Sequence, residues 1–174
     1  MFPKVTLILG GASSGKSAFA EKLVKSCDKS WVYLATAEAL DEEMTARIAR
    51  HRQSRGDPWR LIEEPLEVAR ALTNSTKDEV ILLDCATMWL SNQLFHGRDL
   101  LAEQSDLCAT LQSCAAPVVV VSNEVGLGGV MQNKLARQFG EAQGQLNIAL
   151  AKQADLVVQV VAGLPMVLKG ALPQ

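Results

Sequence analysis

The stretch "KVTLILGGASSGKSAFAEKL", residues 4–23, constrains the fold of this chain more than any other. Gly10, Gly15, Lys16 and Ser17 fill the pattern G-x-x-x-x-G-K-[ST], with Gly11, Ala12, Ser13 and Ser14 between them. The run before the glycines is apolar and reads as a buried strand. After them Phe19, Leu23 and Val24 recur at helical spacing. Strand, glycine loop and helix in that order form a phosphate cradle. Glycines let backbone N–H groups turn inward, and the start of the helix adds its partial positive charge. In that arrangement Lys16 reaches the β- and γ-phosphates of a nucleotide and Ser17 ligates Mg²⁺.

A second element completes a nucleotide site. "VILLDC", residues 80–85, is an apolar run that carries Asp84 at its end. It predicts a buried strand that delivers a carboxylate at the carboxyl edge of a sheet, where open α/β sheets bind ligands. Asp84 then faces Ser17 across a Mg²⁺ ion.

Further β-prone runs are "VTLIL", "WVYLA" from 31, "VVVVS" from 118 and "DLVVQVVAG" from 155, with helical patterns between them. The alternation predicts an α/β, P-loop NTPase-like fold, a mostly parallel central sheet flanked by helices. The composition agrees, with 48% hydrophobic but only 5% aromatic residues, the aliphatic balance of a parallel sheet covered on both faces. Its 174 residues suit one domain, 1–174. Residues 97–117 read as one helix, "RGDPW" and "NSTKDE" as loops, and "GLPMVLKGALPQ" as a short strand with a loose tail.

The formal charge of −2 gives no global basic field for nucleic acid. Cysteines 27, 85, 108 and 114 form no C-x-x-C pair, so metal-ligand spacing is absent, and Cys85 reads as a small core hydrophobe. No apolar stretch reaches the length of a membrane span. A strand by residue 5 leaves no room for a signal peptide. The expectation is a cytoplasmic protein with reduced thiols.

Residues 34–65, "LATAEALDEEMTARIARHRQSRGDPWRLIEEP", are the least generic part. A helix is predicted to open on Asp41, Glu42 and Glu43 and to close on Arg50, Arg52 and Arg55, a charge order that suits the helix dipole alone. Met44, Ile48 and His51 fall on one face of it. A histidine so placed is either a packed core residue or a nucleophile. A neutral imidazole attacks phosphorus well near pH 7, and neighbouring arginines both neutralise a triphosphate and press the ring's pKa down. His96, in "LFHGRD", reads as structural or solvated. "VSNEVG", 121–126, lacks the Asn-Lys-x-Asp code of guanine-specific switch proteins. A small-alcohol kinase with a merely packed His51 and a non-catalytic nucleotide-binding protein both stay open on this reading.

Taken together, "GGASSGKS", "YLATAEALDEEMTARIARHR", "WRLIEEP", "LLDCATMWLSN", "VSNEVGLG" and "LARQFGEAQGQLN" resemble the bifunctional adenosylcobinamide kinase / adenosylcobinamide-phosphate guanylyltransferase family of cobalamin biosynthesis. The resemblance runs over nearly the whole chain. It implies a homotrimer that phosphorylates the aminopropanol hydroxyl of adenosylcobinamide with ATP or GTP. GMP then passes from GTP to that phosphate through a guanylyl-histidine, giving adenosyl-GDP-cobinamide. By the same resemblance the guanylylated residue corresponds to His51. Nucleotide contacts fall on Gly10 to Ser17, on Ala35, Thr36 and Ala37, on Arg52, Gln53, Ser54 and Arg55, on Glu63 and on Asp84. The implied partners are a corrinoid and nucleotides, without nucleic acid.

The chain departs from that family's pattern at Ser13, where relatives often carry arginine. It also departs at Gly129-Val130-Met131 for I-V-P, at Phe139-Gly140-Glu141 for F-R-D and at Asn147-Ile148 for N-Q. None of these removes a residue assigned to chemistry; those after Gly126 bear on substrate and subunit contacts.

Overall fold

Four runs of β-branched and aliphatic residues, VTLILG, EVILLD, VVVVSN and LVVQVV, form strands β1 (Val5–Gly10), β4 (Glu79–Asp84), β5 (Val118–Asn123) and β6 (Leu156–Val161). With β2 (Ser30–Ala35), β3 (Arg60–Glu63) and β7 (Leu164–Lys169) they make one seven-stranded sheet of order β3-β2-β4-β5-β1-β6-β7. All pairings are parallel except β6 with β7. The computed structural model describes residues 1–38, 58–129 and 133–173.

A parallel sheet needs cover on both faces, which is why its central strands read as continuous apolar runs. One face carries Ile8, Leu82, Val119, Val121 and Val158 against Ala20, Leu23 and Val24 of helix α1 (Lys16–Lys25). The other carries Leu7, Leu83, Val118 and Val120. Against it pack α2 (Val68–Thr73), α3 (Ala86–Phe95), α4 (Leu100–Ser113) and α5 (Lys134–Gln153) through Leu72, Trp89, Leu90, Leu107, Leu111, Leu146 and Leu150. Each such side chain contributes about 1.5–3 kcal/mol by leaving water. Truncating a fully buried one such as Leu111 costs about 2–5 kcal/mol.

Two expectations need correction. The single helix read over 97–117 is shorter, Leu100–Ser113, and a separate helix, Ala86–Phe95, precedes it. Gly97 at φ 66° ends the first, and the Asp99 carboxylate caps the second by accepting from the N–H groups of Leu101 and Ala102. Strand β3 was not expected. It has four residues, three of them exposed, and charged residues at both ends, so it shows no apolar run. The tail forms the short strand expected of it, β7, with all six residues exposed. The helix expected from Asp41 to Arg55 lies outside the described residues. Among the described residues no helix is long and apolar enough to cross a membrane.

Candidate active site

The phosphate loop leaves β1 at Gly10. A Cβ there would fall 2.8 Å from the Val160 carbonyl oxygen and into the Ser14 hydroxyl, so only glycine fits. Gly15 sits at φ 91°, and its Cβ would come 3.1 Å from the Cα of Gly163. The turn between β6 and β7 thus presses on the loop, and the Gly163 N–H donates to the Ser14 carbonyl at 2.8 Å. From the other side the Glu124 N–H donates to the Gly10 carbonyl at 3.0 Å.

Lys16, only 9% exposed, folds back to donate to the Gly11 carbonyl at 3.0 Å. Helices α3, α4 and α5 are capped by the side chains of Cys85, Asp99 and Asn133, but α1 starts at Gly15 with no side-chain cap. Its first N–H groups face the loop, the arrangement that takes an anion.

Across the carboxyl edge, Glu63, Ala35 and Asp84 lie in one row, Ala35 pairing with both. Tyr33 on β2, 3% exposed, donates its hydroxyl to Asp84 Oδ2 at 2.6 Å. Trp59 stands edge-on to Tyr33, ring centres 5.7 Å apart, and 5.6 Å from Trp31.

The Asp84–Cys85 peptide bond is cis. Thr36 is fully buried, and its hydroxyl donates to the Cys85 carbonyl at 2.7 Å while accepting the Cys85 N–H at 2.9 Å. Asn92 holds the Thr36 carbonyl at 2.8 Å. The Thr36 side chain is therefore a tie between the end of β2 and the turn after Asp84. Burial, with the Asp84 charge adding to it, pushes the Cys85 thiol up to about 11. It stays a neutral thiol at pH 7, as a core residue should, and accepts the Met88 N–H as the cap of α3.

Gly10 to Ser17, Asp84, Ala35, Thr36, Ala37 and Glu63 thus gather at the carboxyl ends of β1, β2, β3 and β4. His51, Arg52, Gln53, Ser54 and Arg55 lie outside the described residues. His96 caps the carboxyl end of α3, 40% exposed, 3.5 Å from a Glu38 oxygen. A Ser17 hydroxyl and an Asp84 carboxylate are hard oxygen donors of the kind Mg²⁺ takes. The Tyr33 hydrogen bond falls on Oδ2 of that carboxylate. Among the described residues no group of three or more His, Cys, Asp or Glu side chains forms a cage for a metal, and Mg²⁺ at nucleotide sites needs none, because phosphates and water complete its shell.

A cavity of about 860 Å³ bounded by Asp28, Trp31, Pro58, Arg60 and Glu79 borders none of the described site residues, lying at the amino-terminal ends of β2, β3 and β4. Sequence reasoning missed Tyr33 as the partner of Asp84, because residues 51 apart carry no common pattern. It also missed Asn123, which pairs with Gly10 at the end of β5.

A glycine loop on one strand, an acidic residue on another and an uncapped helix between them define a P-loop nucleotide-binding protein. The fold alone is shared with a solved RadB recombinase structure, at TM-score 0.50 and 17% identity, covering 90% of this chain and 74% of that one.

The chain belongs to the cobinamide kinase / cobinamide phosphate guanyltransferase family, whose model matches residues 6–168. It is 42% identical over 167 residues to a bifunctional adenosylcobalamin biosynthesis protein, CobP, of Pseudomonas aeruginosa, covering 94% of this chain and 96% of that one. It is 40% identical over 180 residues to the Escherichia coli protein of that description, CobU, covering 94% and 98%.

Proposed function

We propose that this protein is a bifunctional enzyme of cobalamin biosynthesis that phosphorylates adenosylcobinamide and then guanylylates the product. The observation that carries the kinase half is the complete phosphate loop beside Asp84, whose carboxylate Tyr33 holds. Family membership and the two bifunctional relatives support the corrinoid substrate and the second activity.

In the kinase step the loop N–H groups and the start of α1 bind the donor triphosphate, ATP or GTP. Lys16 exchanges its bond to the Gly11 carbonyl for the β- and γ-phosphates. Ser17 and Asp84 would hold Mg²⁺, which supplies charge neutralisation to the phosphates when bound. The catalysis consists of alignment and charge stabilisation. Ala35, Ala37 and Glu63, with Arg52, Gln53, Ser54 and Arg55, extend the nucleotide contacts, and Thr36 fixes the corner that carries Asp84.

In the transfer step the His51 imidazole attacks the α-phosphorus of GTP and pyrophosphate leaves. The cobinamide phosphate then displaces the imidazole, so one difficult transfer becomes two easier ones.

The proposed assembly is a homotrimer, as the family resemblance implies. Association of copies has support in β7, an exposed edge strand that shows Leu164, Met166 and Leu168 to solvent. Four free cysteines suit the reducing cytoplasm as its location.

The test is turnover of adenosylcobinamide with ATP, GTP and Mg²⁺, followed by mass spectrometry. Adenosyl-GDP-cobinamide is the expected product. Phosphorylation alone contradicts the second activity, and no corrinoid product contradicts both.

A further inference from the structure

Strand β5 lies between β1, which carries the phosphate loop, and β4, which carries Asp84. In register, Gly10 pairs with Asn123 and Asp84 with Val121. Side chains alternate along a strand. Asn123 therefore projects from the same face as Val119 and Val121, and Asp84 from the same face as Leu82. That is the face α1 covers. Asn123 thus stands between the phosphate loop and Asp84, on the side of the sheet where Lys16 begins its helix.

The backbone of Asn123 is held tightly. Its N–H donates to the Thr87 hydroxyl at 2.7 Å, and its carbonyl accepts from Asn147 Nδ2 at 3.1 Å. Asn147 is oriented in turn by the Ser122 hydroxyl at 2.6 Å and by Gln143 Nε2 at 3.0 Å. Ser122, Gln143, Asn147 and Thr87 are all buried polar residues. Yet Oδ1 of Asn123 is itself buried and has no hydrogen-bond partner among the described residues. Gln143 Oε1 in the same cluster also lacks one there, but of the two only Asn123 stands beside the phosphate loop, paired with Gly10. A buried acceptor left unmade is costly, and this position at the mouth of the site points to a ligand group that completes it.

We propose that Asn123 is a further catalytic residue of phosphoryl transfer, touching the γ-phosphoryl group and the alcohol that attacks it. The proposal rests on the kinase reading above. The acceptor's hydroxyl oxygen bonds to the γ-phosphorus as the bond from phosphorus to the β,γ-bridging oxygen breaks. That electron pair leaves with the nucleoside diphosphate, and the hydroxyl proton passes to a phosphoryl oxygen or to water. Asn123 Oδ1 accepts a hydrogen bond from the attacking hydroxyl and keeps its oxygen in line. A neutral amide does not take the proton, so its contribution is alignment at the reacting atoms.

The experiment compares the full-length parent with Asn123→Ala and Asn123→Leu. It measures kcat and KM for corrinoid phosphorylation, affinity for ADP alone and for ADP with aluminium fluoride, which mimics the phosphoryl group in flight, and thermal stability. For Asn123→Ala we expect kcat to fall about 30-fold or more, with ADP affinity within about threefold of the parent and affinity for the aluminium fluoride complex down about tenfold or more. A kcat within about threefold of the parent, or equal loss of affinity for both complexes, overturns the proposal. If the alanine variant does not fold, Asn123→Leu carries the test. It keeps the side chain's size but removes the acceptor, so the same kcat loss with ADP binding kept is expected, and parent-like kcat overturns it. A parent that binds ADP but phosphorylates no corrinoid fails the kinase reading instead.

Discussion

The hydroxyl of Tyr33 donates to Asp84 Oδ2 at 2.6 Å. It joins a buried residue of β2 to the acidic end of β4, and Trp59 stands against the Tyr33 ring. A hydrogen bond to a carboxylate at this distance is among the stronger kind, and here it fixes where the charge points. Tyr33→Phe keeps the ring and removes the hydroxyl, and with it the bond to Asp84. The expected result is a kinase kcat lower by about 3- to 30-fold, with nucleotide affinity and melting temperature near the parent's. A parent-like kcat at saturating nucleotide shows that Asp84 needs no such anchor.

Lys16 holds a loop carbonyl in the structure, and its charge is the one the donor phosphates require. Lys16→Ala is expected to lower phosphorylation by about 10²–10³ and to weaken nucleotide binding. Steady-state kinetics with titration calorimetry check it, and near-normal turnover places the phosphate chemistry elsewhere.

Gly10 has no room for a methyl group, because the Val160 carbonyl lies 2.8 Å from where it would sit. That carbonyl belongs to a strand paired with β1, so it cannot step aside without shifting the sheet. Gly10→Ala is expected to weaken ADP binding about tenfold or more and to lower the melting temperature by several degrees. Calorimetry and a thermal melt read both, and unchanged binding contradicts the packing described.

The Cys85 thiol gives a pH prediction with a definite sign. Burial raises its pKa from 9.0 to about 11, so the folded state holds the proton longer than the unfolded chain does. Its stabilising contribution is complete below pH 9 and is lost as the pH climbs toward 11. Two units correspond to about 2–3 kcal/mol. Burial also raises Cys27, Cys108 and Cys114, so the informative quantity is a difference between proteins. Cys85→Ser, which does not titrate in this range, is expected to lose less stability than the parent between pH 9 and 11. Equal alkaline losses contradict this assignment.

What was legible in the sequence had a local pattern. The phosphate loop, the strand ending at Asp84 and the buried runs of β1, β4, β5 and β6 each announce themselves within about ten residues, because a period or a fixed spacing encodes them. Strand β3 was hidden because an edge strand with three exposed residues needs no apolar run. The break between α3 and α4 depended on one residue at positive φ and one cap, Gly97 and Asp99. Within the site, the partnership of Tyr33 with Asp84 and the cluster of Ser122, Asn123, Gln143 and Asn147 arise only when the sheet brings distant residues together. The combination of motifs gave the family, whereas the phosphate loop alone fits many chemistries.

Two separable activities, with the transfer passing through His51, form the central claim. The most direct test incubates the protein with GTP labelled on its α-phosphate, isolates the protein and maps the label by mass spectrometry. The expected result is one GMP on His51, lost in mild acid because ring protonation makes the imidazole a good leaving group, and stable in alkali. His51→Ala should take no label while still phosphorylating adenosylcobinamide. No label, an acid-stable label, or a label on Ser17 or Lys16 contradicts the histidine route and leaves a kinase only.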